Sequence, residues 1–352
     1  MKILVLNCGS SSIKYQLIDM DNNATLLAKG LLERIGLEMG EFTHKPVGKD
    51  KYYVQQPIPD HKAGIKMVLE ALVDEKIGVI ASLTEINACG HRVAHGGEIF
   101  KQSVLVGEKE KEQIRALFAL APLHNPANLQ GIEAMQAILP NVPQVAVFDT
   151  SFHQSMPAEA YLYAIPYEYY QTDKVRRYGF HGTSHRFVAP KAAKMAGLDI
   201  NNSKIISCHL GSGASICAVK DGKSVDTSMG FTPLAGIAMG TRSGDLDPSI
   251  VTDIMEKENI TAKEMNSILN KKSGLYGITG LNPDFREIEN ASKEPDKPKA
   301  KIAIKLFTRT IAQFIAKYAV SMEGIDLVVF TGGIGENQID IRKAICKNIG
   351  CY

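Results

Sequence analysis

Apolar positions along the chain follow two periods. Short runs rich in β-branched residues read as strands: ILVL at 3–6, INACGHRV at 86–93, QVAVFD at 144–149, KIISCHL at 204–210, SICAVK at 215–220 and LVVF at 327–330. Between them lie segments whose apolar residues recur every three to four positions. IKMVLEAL, 65–72, places Ile65, Val68, Leu69 and Leu72 on one helical face. ANLQGIEAMQAILP at 127–140 and IAIKLFTRTIAQFIAKYAVSMEG at 302–324 behave alike, with Gly324 placed to stop the latter. Pro190 interrupts SHRFVAPKAAKMAG. An interior proline costs a helix about 3 kcal/mol, so this helix either starts after Pro190 or kinks there. Strands alternating with helices predict an α/β class.

The first strand ends in more polar residues than a turn requires. ILVLNCGSSSIKYQLID, 3–19, passes from an apolar run through Asn, Gly and three serines to a lysine, whereas a plain hairpin needs only Asn-Gly or Asp-Gly. That excess points to a ligand. The pattern recurs at 205–226, IISCHLGSGASICAVKDGKSVD, so that Gly9-Ser10 corresponds to Gly211-Ser212. Two such hairpins predict two similar domains facing each other. A third element, LVVFTGGIGEN at 327–337, runs a strand into glycines and then a helix. Glycines allow positive φ and close backbone approach, and clustered N–H groups bind anions. It has neither the GK[ST] of a Walker A loop nor a GxGxxG fingerprint.

Composition narrows the classes. A chain of 352 residues suggests about two domains, and 45% hydrophobic with 22% charged residues is ordinary for a globular protein. The net charge of +2, with no basic tract or acidic tail, argues against a nucleic-acid partner. No window reaches the length of a membrane span, and four apolar residues between Lys2 and Asn7 are too few for a signal peptide, which predicts a cytoplasmic protein. The six cysteines (8, 89, 208, 217, 346, 351) form no CxxC, and Cys8, Cys208 and Cys217 lie in apolar runs. They read as buried thiols in a reducing compartment. His91 with His95, and His181 with His185, have i,i+4 spacing, but glycines break the first face and no ligating acid joins either pair, which argues against zinc.

Eight motifs, LNCGSSSIKYQL, GHRVAHGG, APLHNP, VFDTSFHQSMP, YGFHGTSH, HLGSGAS, MGTRSGDLDP and FTGGIGEN, occur in the order found in acetate kinases, and the chain resembles that family from end to end. The resemblance implies an α/β fold of two duplicated ribonuclease-H-like (actin-like ATPase) domains with a nucleotide cleft between them. Residues 1–150 would form the acyl and phosphate side, and residues 151–352 the nucleotide-binding domain. It further implies a homodimer that transfers phosphoryl from ATP to acetate, giving acetyl phosphate and ADP, with Mg²⁺ or alternatively Mn²⁺. Propionate kinases of the same family are the nearest alternative. Family members continue past the point where this sequence stops, at KNIGCY, with a strand, an acidic metal-binding loop and a helix crossing back. On that ground a nucleotide-binding form with impaired turnover is a further expectation.

Phosphoryl transfer asks a protein mainly for positioning and charge stabilisation. The resemblance assigns Arg92 to acetate and the moving phosphoryl group, and Arg242 to the transition state. An ordinary arginine would instead form a surface salt bridge. His181 would donate to the phosphoryl group, and His124 would hold acetate, or else be a satisfied core histidine. Asp149 would sit near the metal or act in proton transfer; its alternative is a cap on the following turn. Acetate is already ionised at neutral pH, which favours the metal role. Asn7 would bind the metal, and Ser10, Ser12 and Lys14 the phosphates. ATP would further contact His209, Leu210, Gly211, Ser212 and Gly213, then Asp284, Phe285 and Arg286, and finally Gly332, Gly333, Ile334, Gly335 and Glu336. Ser212 departs from the family's usual Asn. The acyl pocket would comprise Ala94, Leu123, Phe180 and Pro233, with Val the commoner residue at position 94.

Overall fold

The computed structural model describes residues 1–350; Cys351 and Tyr352 lie outside the described residues. The chain divides into two compact units, Met1–Ser151 and a second beginning at Phe152.

The first unit holds an eight-stranded sheet. Its strands are β1 (Lys2–Gly9), β2 (Ser12–Asp19), β3 (Thr25–Glu33), β4 (Gly40–Pro46), β5 (Tyr52–Gln56), β6 (Ile86–Val93), β7 (Val104–Leu105) and β8 (Gln144–Phe148), in the order β5-β4-β3-β2-β1-β6-β8-β7. Alternation decides which face of β1 is covered. Leu4, Leu6 and Cys8 are buried and join a core with Ile65, Val68, Leu69 and Leu72 of the helix His61–Val73, while Val5 and Asn7 point the other way. β1, β6 and β8 run parallel, so their C-terminal ends lie side by side. That edge is where open α/β sheets commonly place ligands.

The second unit repeats the arrangement in smaller form. β9 (Lys204–Leu210), β10 (Ala214–Lys220), β11 (Lys223–Thr227) and β12 (Leu327–Thr331) give the order β11-β10-β9-β12. β9 pairs antiparallel with β10 and parallel with β12, as β1 pairs with β2 and β6. The sequence repeat is therefore a repeat of topology. The loops differ by one residue: Gly9 pairs with Ser12, enclosing two residues, whereas Leu210 pairs with Ala214, enclosing three.

β9 and β10 lack β1's alternation because both of their faces are covered. Ile206, Cys208, Leu210, Ile216 and Ala218 pack with the helix Pro298–Ser321, and Ile205, Cys217 and Val219 with Ala189 and Ala193 of the helix Gly182–Met195. That second helix runs through Pro190 and does not start after it. Burial of Ala189 and Ala193 against the sheet holds the turn that the missing N–H weakens. Gly324 follows the end of Pro298–Ser321, but Glu323 is the first left-handed residue there (φ 59°), with Gly324 at φ 134°.

Cys8, Cys89, Cys208 and Cys217 are buried free thiols, and Cys346 is exposed. Burial pushes the Cys8 thiol up to about 12, so it stays protonated. Among the described residues no helix is long and apolar enough to cross a membrane.

Candidate active site

In the first unit, three predicted site residues meet at the ends of β1, β6 and β8. The Arg92 guanidinium donates from Nε to both oxygens of Asp149 (3.0 and 3.1 Å) and from Nη2 to Oδ2 (2.6 Å). Its Nη1 donates to Asn7 Oδ1 at 3.1 Å. Asp149 is 2% exposed, whereas the Arg92 side chain is 42% exposed. A buried carboxylate thus holds the inner side of a cation whose outer side faces solvent. The Asp149 charge raises the pKa of Arg92. Arg92 does form an ion pair, as an ordinary arginine would, but its partner is buried at a strand end.

The loop after β6 is clamped by two asparagines that the sequence reading did not single out. Asn125 Oδ1 accepts from His95 N and its Nδ2 donates to His95 O (3.1 and 2.9 Å). Asn128 Oδ1 accepts from Ala94 N at 2.9 Å, and its Nδ2 donates to Cys8 O at 2.6 Å. Ala94 is therefore buried and fixed next to the end of β1. Leu123 is 69% exposed, and His124 is an exposed residue at the N-cap of the helix Asn125–Ile138. Ser10 and Lys14 are exposed, Ser12 is half-buried, and Lys14 pairs across the ladder with Asn7.

His91 lies within β6, so its i,i+4 spacing with His95 does not describe a helical face. It is 2% exposed, and its Nε2 lies 2.7 Å from Gln144 Oε1. Burial lowers its pKa from 6.5 to about 4. The unfolded chain therefore binds a proton that the folded chain refuses as pH falls from about 6.5 to about 4, and stability falls over that window by up to ~3 kcal/mol. Urea unfolding at pH 7 and pH 4.5 should show a smaller acid loss in His91→Gln than in the wild type. An equal loss in both would show that His91 does not titrate in this way.

In the second unit the residues gather around the β9–β10 turn. A Cβ built on Gly213 would lie 3.4 Å from Arg242 Nη1 and 3.6 Å from His181 Nε2. Arg242 donates from Nη1 to Pro233 O at 3.1 Å and has no carboxylate partner among the described residues. Burial alone lowers its pKa from the usual value. The salt-bridge alternative therefore does not apply to Arg242. His181 is a non-glycine residue in the left-handed region (φ 56°, ψ 18°), the N-cap of the helix Gly182–Met195. Such strain persists where the surroundings over-determine it, often at sites of function.

A pocket of about 800 Å³ opens beside this turn. It is lined by predicted residues from all three segments: Gly211 and Ser212, Asp284 to Arg286, and Gly333 with Ile334. Gly240, Thr241, Leu275, Pro283, Phe307, Asn337 and Gln338 also line it and were not foreseen. Gly240, Thr241 and Asn337 lie inside quoted motifs and Gln338 follows one, but Leu275 and Phe307 carry no sequence signal beyond hydrophobicity. His209, Leu210, Gly213, Gly332, Gly335 and Glu336 are not among the lining residues. The reasons are local. His209 and Leu210 belong to β9, and Glu336 Oε1 accepts from Thr331 Oγ1 at 3.1 Å. The Gly211 N–H is spent on Gly213 O at 3.1 Å. Arg286 pairs with Asp284 through Nε and Nη2 (3.1 and 2.6 Å), and this bonding, with the Arg286 amide, lowers the Asp284 carboxyl to about 2. Phe180 is 6% exposed and belongs to the core; Pro233 contributes its carbonyl to Arg242.

Residues 2–352 match the family model described as the Acetokinase family. The chain is 56% identical over 349 residues to the acetate kinase of Caldanaerobacter subterraneus subsp. tengcongensis, covering 99% of this chain and 87% of that one. The crystal structure of Porphyromonas gingivalis acetate kinase superposes with a TM-score of 0.95 at 44% identity, over 99% of this chain and 87% of that one. A propionate kinase from Francisella tularensis subsp. tularensis gives 0.93 at 44% identity, over 99% and 88%.

Proposed function

Since this chain belongs to the acetokinase family, we propose that it catalyses reversible phosphoryl transfer from ATP to acetate. The carrying observation is the pairing, in the second unit, of an arginine without a carboxylate and a strained histidine at a glycine turn beside a nucleotide-sized pocket.

ATP occupies the 800 Å³ pocket, its base against Leu275, Phe307 and Ile334 and its phosphates toward Gly211 and Ser212. Arg92 holds the acetate carboxylate, with the methyl group toward Ala94. An acetate oxygen attacks the γ-phosphorus as the bond to the ADP oxygen breaks. Arg242 and His181 Nε2 take up charge on the equatorial oxygens. Ionised acetate has no proton to lose, so Asp149 acts by fixing Arg92, which the three hydrogen bonds between them support.

Mg²⁺ fits the oxygens of Asp149 and Asn7, a sparse hard-oxygen set of the kind that water and phosphate complete. Bound there, the ion would neutralise phosphate charge. The residue-by-residue roles, the split of labour between residues 1–150 and 151–352, and the homodimer belong to this proposal; sedimentation showing only monomer would remove the last.

The direct test is acetyl phosphate formation, trapped as hydroxamate, from ATP, Mg²⁺ and acetate by the purified chain. Turnover that responds to acetate supports the reading; ATP hydrolysis indifferent to acetate defeats it.

Propionate as a second substrate is favoured by Ala94, which is buried and backbone-clamped. A Val there would fill roughly the space of propionate's additional methylene, worth about 0.8 kcal/mol when buried. Ala94→Val should lower the propionate-to-acetate ratio of kcat/KM by about fourfold. An unchanged ratio would remove position 94 as the size gate.

A further inference from the structure

Behind His181 lies a buried chain of hydroxyls and imidazoles. His181 Nδ1 is 2.9 Å from Ser215 Oγ, and the same oxygen is 2.8 Å from His185 Nε2. His185 Nδ1 is in turn 3.0 Å from Ser207 Oγ. His185, Ser207 and Ser215 are all 0% exposed. The geometry follows from register: Ser207 on β9 and Ser215 on β10 lie on the sheet face that packs against the helix Gly182–Met195, and His181 and His185 sit one turn apart at that helix's start.

We propose that Ser207, His185 and Ser215 form a polarised relay that keeps a proton on His181 Nε2, making Ser215 and His185 positioning residues for phosphoryl transfer. The proposal rests on His181 touching the transferred group, as in the reading above.

Proton counting supplies the argument. A serine hydroxyl has one proton, so Ser215 donates to one histidine and accepts from the other. Burial, with His153, His181 and His209 nearby, drives the His185 pKa well below 6.5, so His185 is neutral and carries one ring proton. Only two polarities satisfy the chain. In the first, Ser207 donates to His185 Nδ1, His185 Nε2–H donates to Ser215, and Ser215 donates to His181 Nδ1. Neutral His181 then bears its proton on Nε2. In the reverse polarity His181 donates from Nδ1, and a neutral His181 presents a bare Nε2 lone pair. A phosphoryl oxygen only accepts, so that state would repel it. The alternative, an imidazolium, would set a second cation beside Arg242 at the same turn. His153, 5.8 Å from His185, has Ser224 Oγ 2.7 Å from its Nδ1 and Phe180 O 3.1 Å from its Nε2. The first polarity is therefore the working one.

Long-range ¹H–¹⁵N spectra of histidine-labelled protein read the tautomers directly. Protonated Nε2 and bare Nδ1 on both His181 and His185 are expected; protonated Nδ1 on neutral His181 would overturn the relay. Ser215→Ala should lower kcat by about tenfold, the order seen when a supporting hydrogen bond is lost, with the KM values for ATP and acetate nearly unchanged. Ser207→Ala, which touches His185 alone, should shift the His185 and His181 nitrogen resonances and lower kcat by a smaller factor. Should Ser215→Ala fail to fold, Ser207→Ala and the wild-type spectrum decide the matter. Normal kcat in folded Ser215→Ala, with His181→Ala inactive, would remove the relay and leave the functional reading standing. Normal kcat in His181→Ala would remove that reading of His181 and the relay with it.

Discussion

Arg242→Ala is expected to lower kcat by about 10²-fold or more while leaving thermal stability almost unchanged. The separation follows from what Arg242 touches. It donates to one carbonyl, Pro233 O, and neutralises no carboxylate among the described residues, so truncation strands no charge. Its loss falls on the transition state. Arg92→Ala should also lower kcat about 10²-fold and should raise the KM for acetate more than that for ATP. It should cost stability too, because 2%-exposed Asp149 loses three hydrogen bonds, and an under-satisfied buried acceptor costs about 1–3 kcal/mol. Steady-state kinetics beside thermal melts check both variants. Near-normal kcat in both would make the arginines structural.

Gly332→Ala should destabilise the second unit and weaken nucleotide binding together. Gly332 has φ +79°, and an added Cβ would lie 2.7 Å from Leu210 O and 2.9 Å from Leu210 C. Those are backbone atoms at the end of β9 and cannot turn aside. Strain of about 1–3 kcal/mol from the left-handed backbone adds to the clash, so Tm should drop by roughly 10 °C. The displaced strand end carries Gly211 into the pocket wall, so ATP affinity should fall by more than in Gly333→Ala, where an added Cβ meets nothing within 4 Å. Equal melting temperatures for the two variants would show that the contact with Leu210 is slack.

Much of the fold was legible because local rules and tertiary packing agree. β1, β9 and β12 end where apolar runs meet glycine, and β1 alternates because one of its faces is covered. β9 and β10 read as continuous apolar runs because both of theirs are. The polar residues gathered at Asn7, Arg92 and Asp149 could be suspected from their places at strand ends, since parallel neighbours must bring those ends together. Pro190 went differently, because packing of Ala189 and Ala193 against the sheet overrides a local preference of about 3 kcal/mol.

The sequence by itself determined the α/β class, the repeated hairpin and the order of the motifs, because these depend on periodicity and on residues adjacent in the chain. Only the tertiary structure decided that Arg92 is paired and Arg242 is not, that Asn128 ties Ala94 to Cys8, and that Ser215 joins His181 to His185. Each of these joins residues far apart in the chain through side-chain atoms whose spacing is set by strand register and helix packing, and a hydrogen bond exists or fails over a few tenths of an ångström.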